Sequence, residues 1–468
     1  MTDKKIKNRL LMIGISLLGV LTTLPLQSFA EVNVSEDSDN LLSSRYSFTS
    51  IWKLVREKSP DIKAAGSELE GARIYQTRTS RHWYPRVFAE GRVYSTNDPT
   101  LSFISLLGQR QITSQDFAAQ TLNQPGSNFF ERGTLGLDLP LYEGGSKVAI
   151  FSAASKMAEA KAYELKSTEI AQYTDIASTY SSLLSLKNQQ KDLEKLLSDI
   201  EATLAQYKIG SKSNPVGYSG LLGLKTLRNR LQGLLTENVS KATALREHVR
   251  IVAEELPESW TPKFEPPRDF ILAHLNPNTR TKESTNNNTV PASVRAMHLA
   301  AEALDQAKAA EKARFLPKVG LFGTGDLYGG SRGTGTSYTG GAYLQWELFS
   351  ASNFGATSQA EHSAAAAHAR AEGMNEKTRM ERSRAIQTAN TLENNLILME
   401  ESTKLLEEQT ATAKDLFRNG SINALQLVEV IARRVDLVVS RTEAQIGLAQ
   451  ARATLWVNSD LEGASYEN

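Results

Sequence analysis

The chain contains no cysteine. That removes disulfides, thiolate metal sites and the acylated N-terminal cysteine of a lipoprotein tether. Only six histidines are present, and His362 and His368, six residues apart, do not share one helix face at metal-ligand spacing. Long apolar runs are also missing beyond the first thirty residues. Within those thirty, Lys4, Lys5, Lys7 and Arg9 precede an apolar stretch from Leu10 to Leu24. Ser28-Phe29-Ala30 then supplies a small-x-small cleavage signal before Glu31. The apolar stretch is short for a span, which needs about 20 residues. Residues 1–30 are therefore expected to be an export signal, and any later membrane insertion has to use strands. Excess charge is absent too: without the leader the chain keeps 49 basic against 51 acidic residues, a net −2. No basic surface for nucleic acid follows from that balance.

What the chain does have is a duplication. Ser59-Pro60-Asp61-Ile62-Lys63-Ala64-Ala65 returns as Val290-Pro291-Ala292-Ser293-Val294-Arg295-Ala296, and Trp83-Tyr84-Pro85-Arg86-Val87 returns as Phe315-Leu316-Pro317-Lys318-Val319. Pro60 and Pro291 stand 231 residues apart, and Pro85 and Pro317 stand 232 apart. Leu137-Asp138-Leu139-Pro140-Leu141-Tyr142 answers to Leu344-Gln345-Trp346-Glu347-Leu348-Phe349, and Tyr207-Lys208-Ile209-Gly210-Ser211 to Phe417-Arg418-Asn419-Gly420-Ser421. One long period implies two copies of one structural unit. The division is residues 1–30 signal peptide, 31–255 first repeat, 256–289 a linker or equatorial segment rich in Pro, Asn, Thr and charge, and 290–468 second repeat.

Each copy reads helix, strand, loop, strand, very long helix, tight turn, helix. In the first, Ile51 to about Ser80 is helical until Pro85 breaks the run. Val87, Ala89, Gly91 and Val93 then alternate with Phe88, Glu90, Arg92 and Tyr94. A second alternating set is Leu135, Leu137, Leu139 and Leu141. The other copy offers Val319, Leu321, Gly323, Gly325 and Leu327, then Ala342, Leu344, Trp346 and Leu348. Four strands of about ten residues, dry on one face and flanked by aromatic residues, suit a transmembrane barrel. The loop between the first two strands, about Ser95 to Phe129, would lie outside the cell. The helices after the strands run from about Ser146 to Tyr207 and from Asn353 to Phe417, roughly 90–100 Å at 1.5 Å per residue. Leu193, Leu197, Ile200, Leu204 and Tyr207 step as a coiled-coil seam, as do Tyr173, Ile176, Tyr180 and Leu183. Gly210 and Gly420 stand where a left-handed helix terminus is wanted. Asn214-Pro215 and Asn423-Ala424-Leu425-Gln426 restart helices as caps.

Four strands leave two open edges, which lipid does not tolerate. Closure with further copies follows; three would give twelve strands, within the bacterial range, although closure alone does not set the number. The expected architecture is mostly α with a β-barrel contribution, the helical hairpins continuing the barrel as a coiled-coil tube. A non-transporting coiled-coil scaffold or adhesin is the alternative. Gly323-x-Gly325 and the run Gly329 to Gly335 lack a phosphate-loop lysine and read as strand and turn. No catalytic constellation and no cofactor are expected.

The proline at each helix-to-strand junction, the Leu-x-Leu or Leu-x-Trp strand before each long helix, and the aromatic-x-x-Gly-Ser turn, all duplicated, resemble the TolC-type outer-membrane efflux proteins. The resemblance spans about Tyr46 to Trp456. It implies a homotrimer in the outer membrane of a Gram-negative bacterium, with a twelve-stranded barrel joined to a periplasmic α-helical tunnel. It also implies an exit duct for tripartite efflux or type I secretion, linked by a periplasmic adaptor protein to an inner-membrane pump of RND, ABC or MFS type. The tips that would meet the adaptor match Tyr207, Lys208, Gly210 and Ser211 in one copy and Phe417, Arg418, Asn419, Gly420 and Ser421 in the other. The family's aperture aspartates, six and nine residues after the second glycine, are replaced by Gln426 and Glu429. Its arginine two residues after that glycine is replaced by Ile422, and the first copy has Val216 in place of an aperture carboxylate.

Overall fold

In the computed structural model the described residues are 46–207, 215–276 and 290–459. The export signal lies outside them, as do Lys208, Gly210, Ser211 and Asn214.

Ser47 caps the first helix, α1 (Phe48–Lys58), through a 3.3 Å bond from the Ser50 N–H, and Phe48, Ile51, Trp52 and Val55 form its buried stripe. The helical run expected to reach Ser80 unbroken is split at Ser59, which caps α2 (Pro60–Ser80). Pro60 cannot donate to the preceding turn but is well placed at the start of a new helix. A 3₁₀ turn over Arg81–Trp83 and Pro85 lead into β1 (Arg86–Thr96). Next come α3 (Pro99–Gly108), a 3₁₀ turn at Ser114–Phe117, and α4 (Ala119–Asn123), so the segment expected as a long loop is partly helical. Then follow β2 (Asn128–Glu143), α5 (Ser146–Gln206), α6 (Pro215–Ala253) and α7 (Pro267–His274). The second copy supplies α8 (Ala292–Ala313), β3 (Lys318–Gly330), β4 (Gly333–Gln345), α9 (Ala356–Arg418) and α10 (Ala424–Val457).

The four strands make one antiparallel sheet in the order β1-β2-β3-β4. Its register sorts the side chains. Leu137 lies opposite Val87 and Gly323, Leu135 opposite Ala89 and Gly325, and Leu344 opposite Val319. One face therefore carries Val87, Val93, Leu135, Leu137, Leu321, Leu327 and Leu344, all exposed. The other face carries Arg132, whose Nε and Nη2 donate to Asp326 Oδ1 at 3.1 and 3.0 Å. Thr134 donates to the same oxygen at 2.6 Å. Packing on this face relies on missing side chains: a Cβ on Gly136 would run into the Phe88 ring.

β4 corrects one expectation. The strand ends at Gln345, which pairs with Lys318, so Trp346 and Leu348 lie beyond it. Pro317 precedes β3 and offers no donor, so no described strand of the same chain pairs with those residues.

Backbone turns with positive φ at Gly144 (65°), Gly145 (83°) and Gly355 (87°) release the two long helices from the sheet. α5 packs along α2, α6, α8 and α10, and α9 along α8 and α10. Near the sheet the contacts are small: Ala149, Ala154, Ala158 and Ala160 of α5, with Ala296, Ala301 and Ala303 of α8, are buried. Midway lies an aromatic core in which Tyr173 meets Phe48, Trp52 and Trp456 edge-on or tilted, with centroids 5.1–5.5 Å apart. The described part of the expected linker, residues 256–276, belongs to this core, with Leu256, Trp260, Phe270, Ile271 and Leu275 buried in it. Tyr180 clamps it by sharing its hydroxyl between the carbonyls of Tyr46 and Lys263, each 3.1 Å away. Burial pushes that phenol's pKa up, so it stays a donor.

Candidate functional site: the helix tips

At the end of the long helices away from the sheet, α5, α6, α9 and α10 share a second core of Leu193, Leu196, Ile200, Leu224, Leu227, Leu231, Leu427, Ile431 and Val435. The coiled-coil seam on α5 is largely this core: Leu193 and Ile200 are buried, and Leu197, Leu204 and Tyr207 pack against its edge. Charges brace it between helices. Arg434 donates to Glu407 at 2.8 Å and Arg441 to Asp192 at 2.6 Å, and Lys414 pairs with Asp199. Asn238 donates to the Leu186 carbonyl at 3.0 Å and to Gln189 at 2.7 Å.

The two copies of the turn motif meet here. Tyr207 terminates α5, and its ring stacks on that of Phe417 with centroids 6.0 Å apart and planes at 14°. Its hydroxyl donates to the Gly217 carbonyl at 2.8 Å. In the second copy Asn419 caps α9, and Gly420 takes φ = 75°. The Ser421 N–H then reaches the Leu416 carbonyl at 2.8 Å, closing the helix end with a left-handed glycine. Arg418 stays exposed on the last turn, 3.5 Å from Asp415. Lys208, Gly210 and Ser211 lie outside the described residues.

Gln426 and Glu429 sit on the first turns of α10. The expected capping box is present: the Gln426 N–H donates to Asn423 Oδ1, and the Asn423 N–H to Gln426 Oε1, both at 3.0 Å. Gln426 also borders an open groove between α9 and α10 with Leu405, Glu408, Thr412, Leu416 and Ile422. Glu429 is exposed, and its carboxylate accepts from Arg433 at 2.5 Å one turn further on. Its charge is thus compensated within the same chain. Val216 is exposed at the first-copy position.

Sequence reasoning passed over Gly220 and Gly223. A Cβ on Gly220 would fall 2.6 Å from that of Ala424, so α6 and α10 touch backbone to backbone at the tip. The signal was Gly217, Gly220 and Gly223 at three-residue spacing, on one helix face. Arg433 was also overlooked, although an arginine four residues after a glutamate is the ordinary helical pairing. Among the described residues no group of three His, Asp or Glu could hold a metal, and no helix is long and apolar enough to cross a membrane.

Residues 291–455 match the family model for the outer membrane efflux protein. No curated protein matches the sequence. Among solved structures, CusC, whose structures address transmembrane channel formation, superposes with a TM-score of 0.71 at 11% identity. The match covers 93% of this chain and 98% of CusC. The outer membrane protein VceC of Vibrio cholerae gives 0.68 at 14% identity over 87% and 94% of the two chains. The open-state MtrE outer membrane channel of Neisseria gonorrhoeae gives 0.69 at 13% identity over 93% and 97%. The resemblance to the TolC-type outer-membrane efflux proteins is borne out, by a family model on the second copy and by the fold over nearly the whole chain.

Proposed function

We propose that three copies of this chain close their sheets into one twelve-stranded barrel, continued by the helices as a periplasmic tube. The assembly serves as the passive exit duct of a tripartite efflux or type I secretion system. The observation that carries this reading is the sheet itself: apolar on one face, polar on the other, with β1 and β4 at its edges. Such edges are untenable in lipid, where every backbone donor needs a partner. The duplication also supports a choice of partner. Residues 139–143 of β2 run along the start of β3. The equivalent stretch, Trp346 to Phe349, has exposed side chains and no described strand beside it. The β1 of another copy is what the repeat would put there.

The tips are the docking surface for a periplasmic adaptor, which links the duct to an inner-membrane pump. Stacked Tyr207 and Phe417 and the α9–α10 groove are the features such a partner would read. The duct hydrolyses nothing, so the pump supplies the energy.

Purified protein in planar bilayers tests this. Stepwise ion conductance from a particle with the mass of three chains is expected. A protein that stays monomeric, or inserts without conducting, would favour the scaffold or adhesin instead.

A further inference from the structure

The short helix α3 is built inside out. Its buried positions are Ser102, Ser105, Leu106 and, at its C-cap, Gln109, so three of the four are polar, while Leu101, Ile104 and Leu107 are 43%, 54% and 55% exposed. The polar side faces the sheet. Ser105 and Tyr94 share a 2.8 Å hydroxyl contact, and Gln109 Nε2 donates to the Gly329 carbonyl at 3.4 Å. The helix lies on the polar face of the strands near their outer end. A Cβ on Gly108 would meet the Tyr328 ring at 2.8 Å, and one on Gly335 would run into the Gly108 carbonyl. The placement is fixed by Arg110, donating to the Thr336 carbonyl at 2.9 Å, and by Arg332, donating to Asp116 at 2.7 Å.

A helix on that face cannot turn its leucines toward lipid, because closing the sheet encloses the polar face. We propose that Leu101, Ile104 and Leu107 dock against the same residues of the other two copies, sealing the outer mouth of the barrel. The inference rests on the trimeric reading above. The occupant is another α3: each copy brings one to the same enclosed mouth, and the three residues, at i, i+3 and i+6, form one stripe. Stripes left apart would expose apolar surface to water, which is unfavourable in proportion to its area. A barrel of this size falls between those filled by their own side chains and those left open as porins. Three helices of roughly 10 Å diameter inside its rim can therefore occlude it.

The lack of native cysteine makes the test direct. Ile104→Cys and Leu107→Cys should each be joined between copies by a short bis-maleimide in intact outer membranes, whereas Leu137→Cys on the apolar face should not. A second readout avoids the periplasmic end. Thr339→Cys, deeper on the polar face, should react slowly with a membrane-impermeant maleimide applied to whole cells. Adding Ile104→Asp and Leu107→Asp should accelerate that reaction several-fold. If neither Ile104→Cys nor Leu107→Cys cross-links in a particle of three-chain mass, the seal is overturned and the barrel reading stands. An unchanged labelling rate of Thr339→Cys in the aspartate background has the same consequence. A monomeric particle would overturn both.

Discussion

Arg332 and Asp116 are 216 residues apart in sequence and 2.7 Å apart in space. The same Asp116 oxygen also accepts from the Thr113 N–H at 2.7 Å and from its hydroxyl at 2.9 Å. The arginine, followed by the Thr113 bonds, holds the carboxyl well below its ordinary range near 3.8. A depressed carboxylate stabilises the fold above its unfolded pKa, and that contribution disappears as pH falls through the folded value. The segment between β1 and β2 should thus stay latched from pH 7 down to about 4 and loosen only in stronger acid. Limited proteolysis of residues 97–127 against pH measures this. Asp116→Asn should produce the loosened digestion pattern already at pH 7, at a cost of about 1–2 kcal/mol, since Arg332 keeps some solvent screening. Glycines on α6 give a second contrast at this scale. Gly220 abuts Ala424, while Gly233 has nothing within 4 Å of a built Cβ. Gly220→Val should destabilise by about 1–3 kcal/mol through overpacking, and Gly233→Ala should stabilise by about 0.5–1 kcal/mol through helix propensity. Urea melts of the helical circular dichroism in detergent report both. The sequence hints at the difference only through spacing, Gly220 standing between Gly217 and Gly223 while Gly233 stands alone; the contact itself appears once α10 is laid beside Gly220. Gly420 was legible because a left-handed helix end is a local demand.

Elements declared by period and punctuation were readable, and those declared by neighbours were not. β1 and β3 start where Pro85 and Pro317 place them, and the alternation of Val87 to Val93 gives the faces found in the register. The end of β4 was misread because Leu344, Trp346 and Leu348 keep the alternating pattern past Gln345, where the pairing partner runs out. A strand is defined by its neighbour as much as by its own residues. Helices inside the segment after β1 escaped notice for a related reason: α3 is apolar on the wrong side for a helix on a soluble core. The reading of the two faces can be checked. Leu135→Arg should cost about 2–4 kcal/mol in the bilayer, seen as loss of folded protein from the outer-membrane fraction. Ser337→Lys, on the polar face opposite Asp326, should leave that fraction near the parent level.

At the scale of the whole molecule, the duplication set the plan, and β2 pairing with β3 is the seam where one copy becomes the other. What a single chain cannot display is the charge that several copies would bring together at the tips of the proposed assembly. Glu429, standing in place of one of the family's aperture aspartates, would by itself put a ring of cation-attracting carboxylates at the aperture. Its pairing with Arg433 changes that expectation, because the two charged groups touch and are about equally exposed. In the proposed duct a ring of such pairs would be close to neutral, and the parent protein should discriminate weakly between small ions. Removing one partner exposes the other. In the proposed trimer Arg433→Ala would leave three uncompensated carboxylates and should shift the reversal potential under a salt gradient toward cation selectivity. Glu429→Ala should shift it toward anions. Both shifts should shrink as salt approaches 1 M, where the screening length falls to about 3 Å. Equal reversal potentials for the two variants at low salt would mean that these side chains do not face the conducting path, and the aperture would have to be sought elsewhere on the tips.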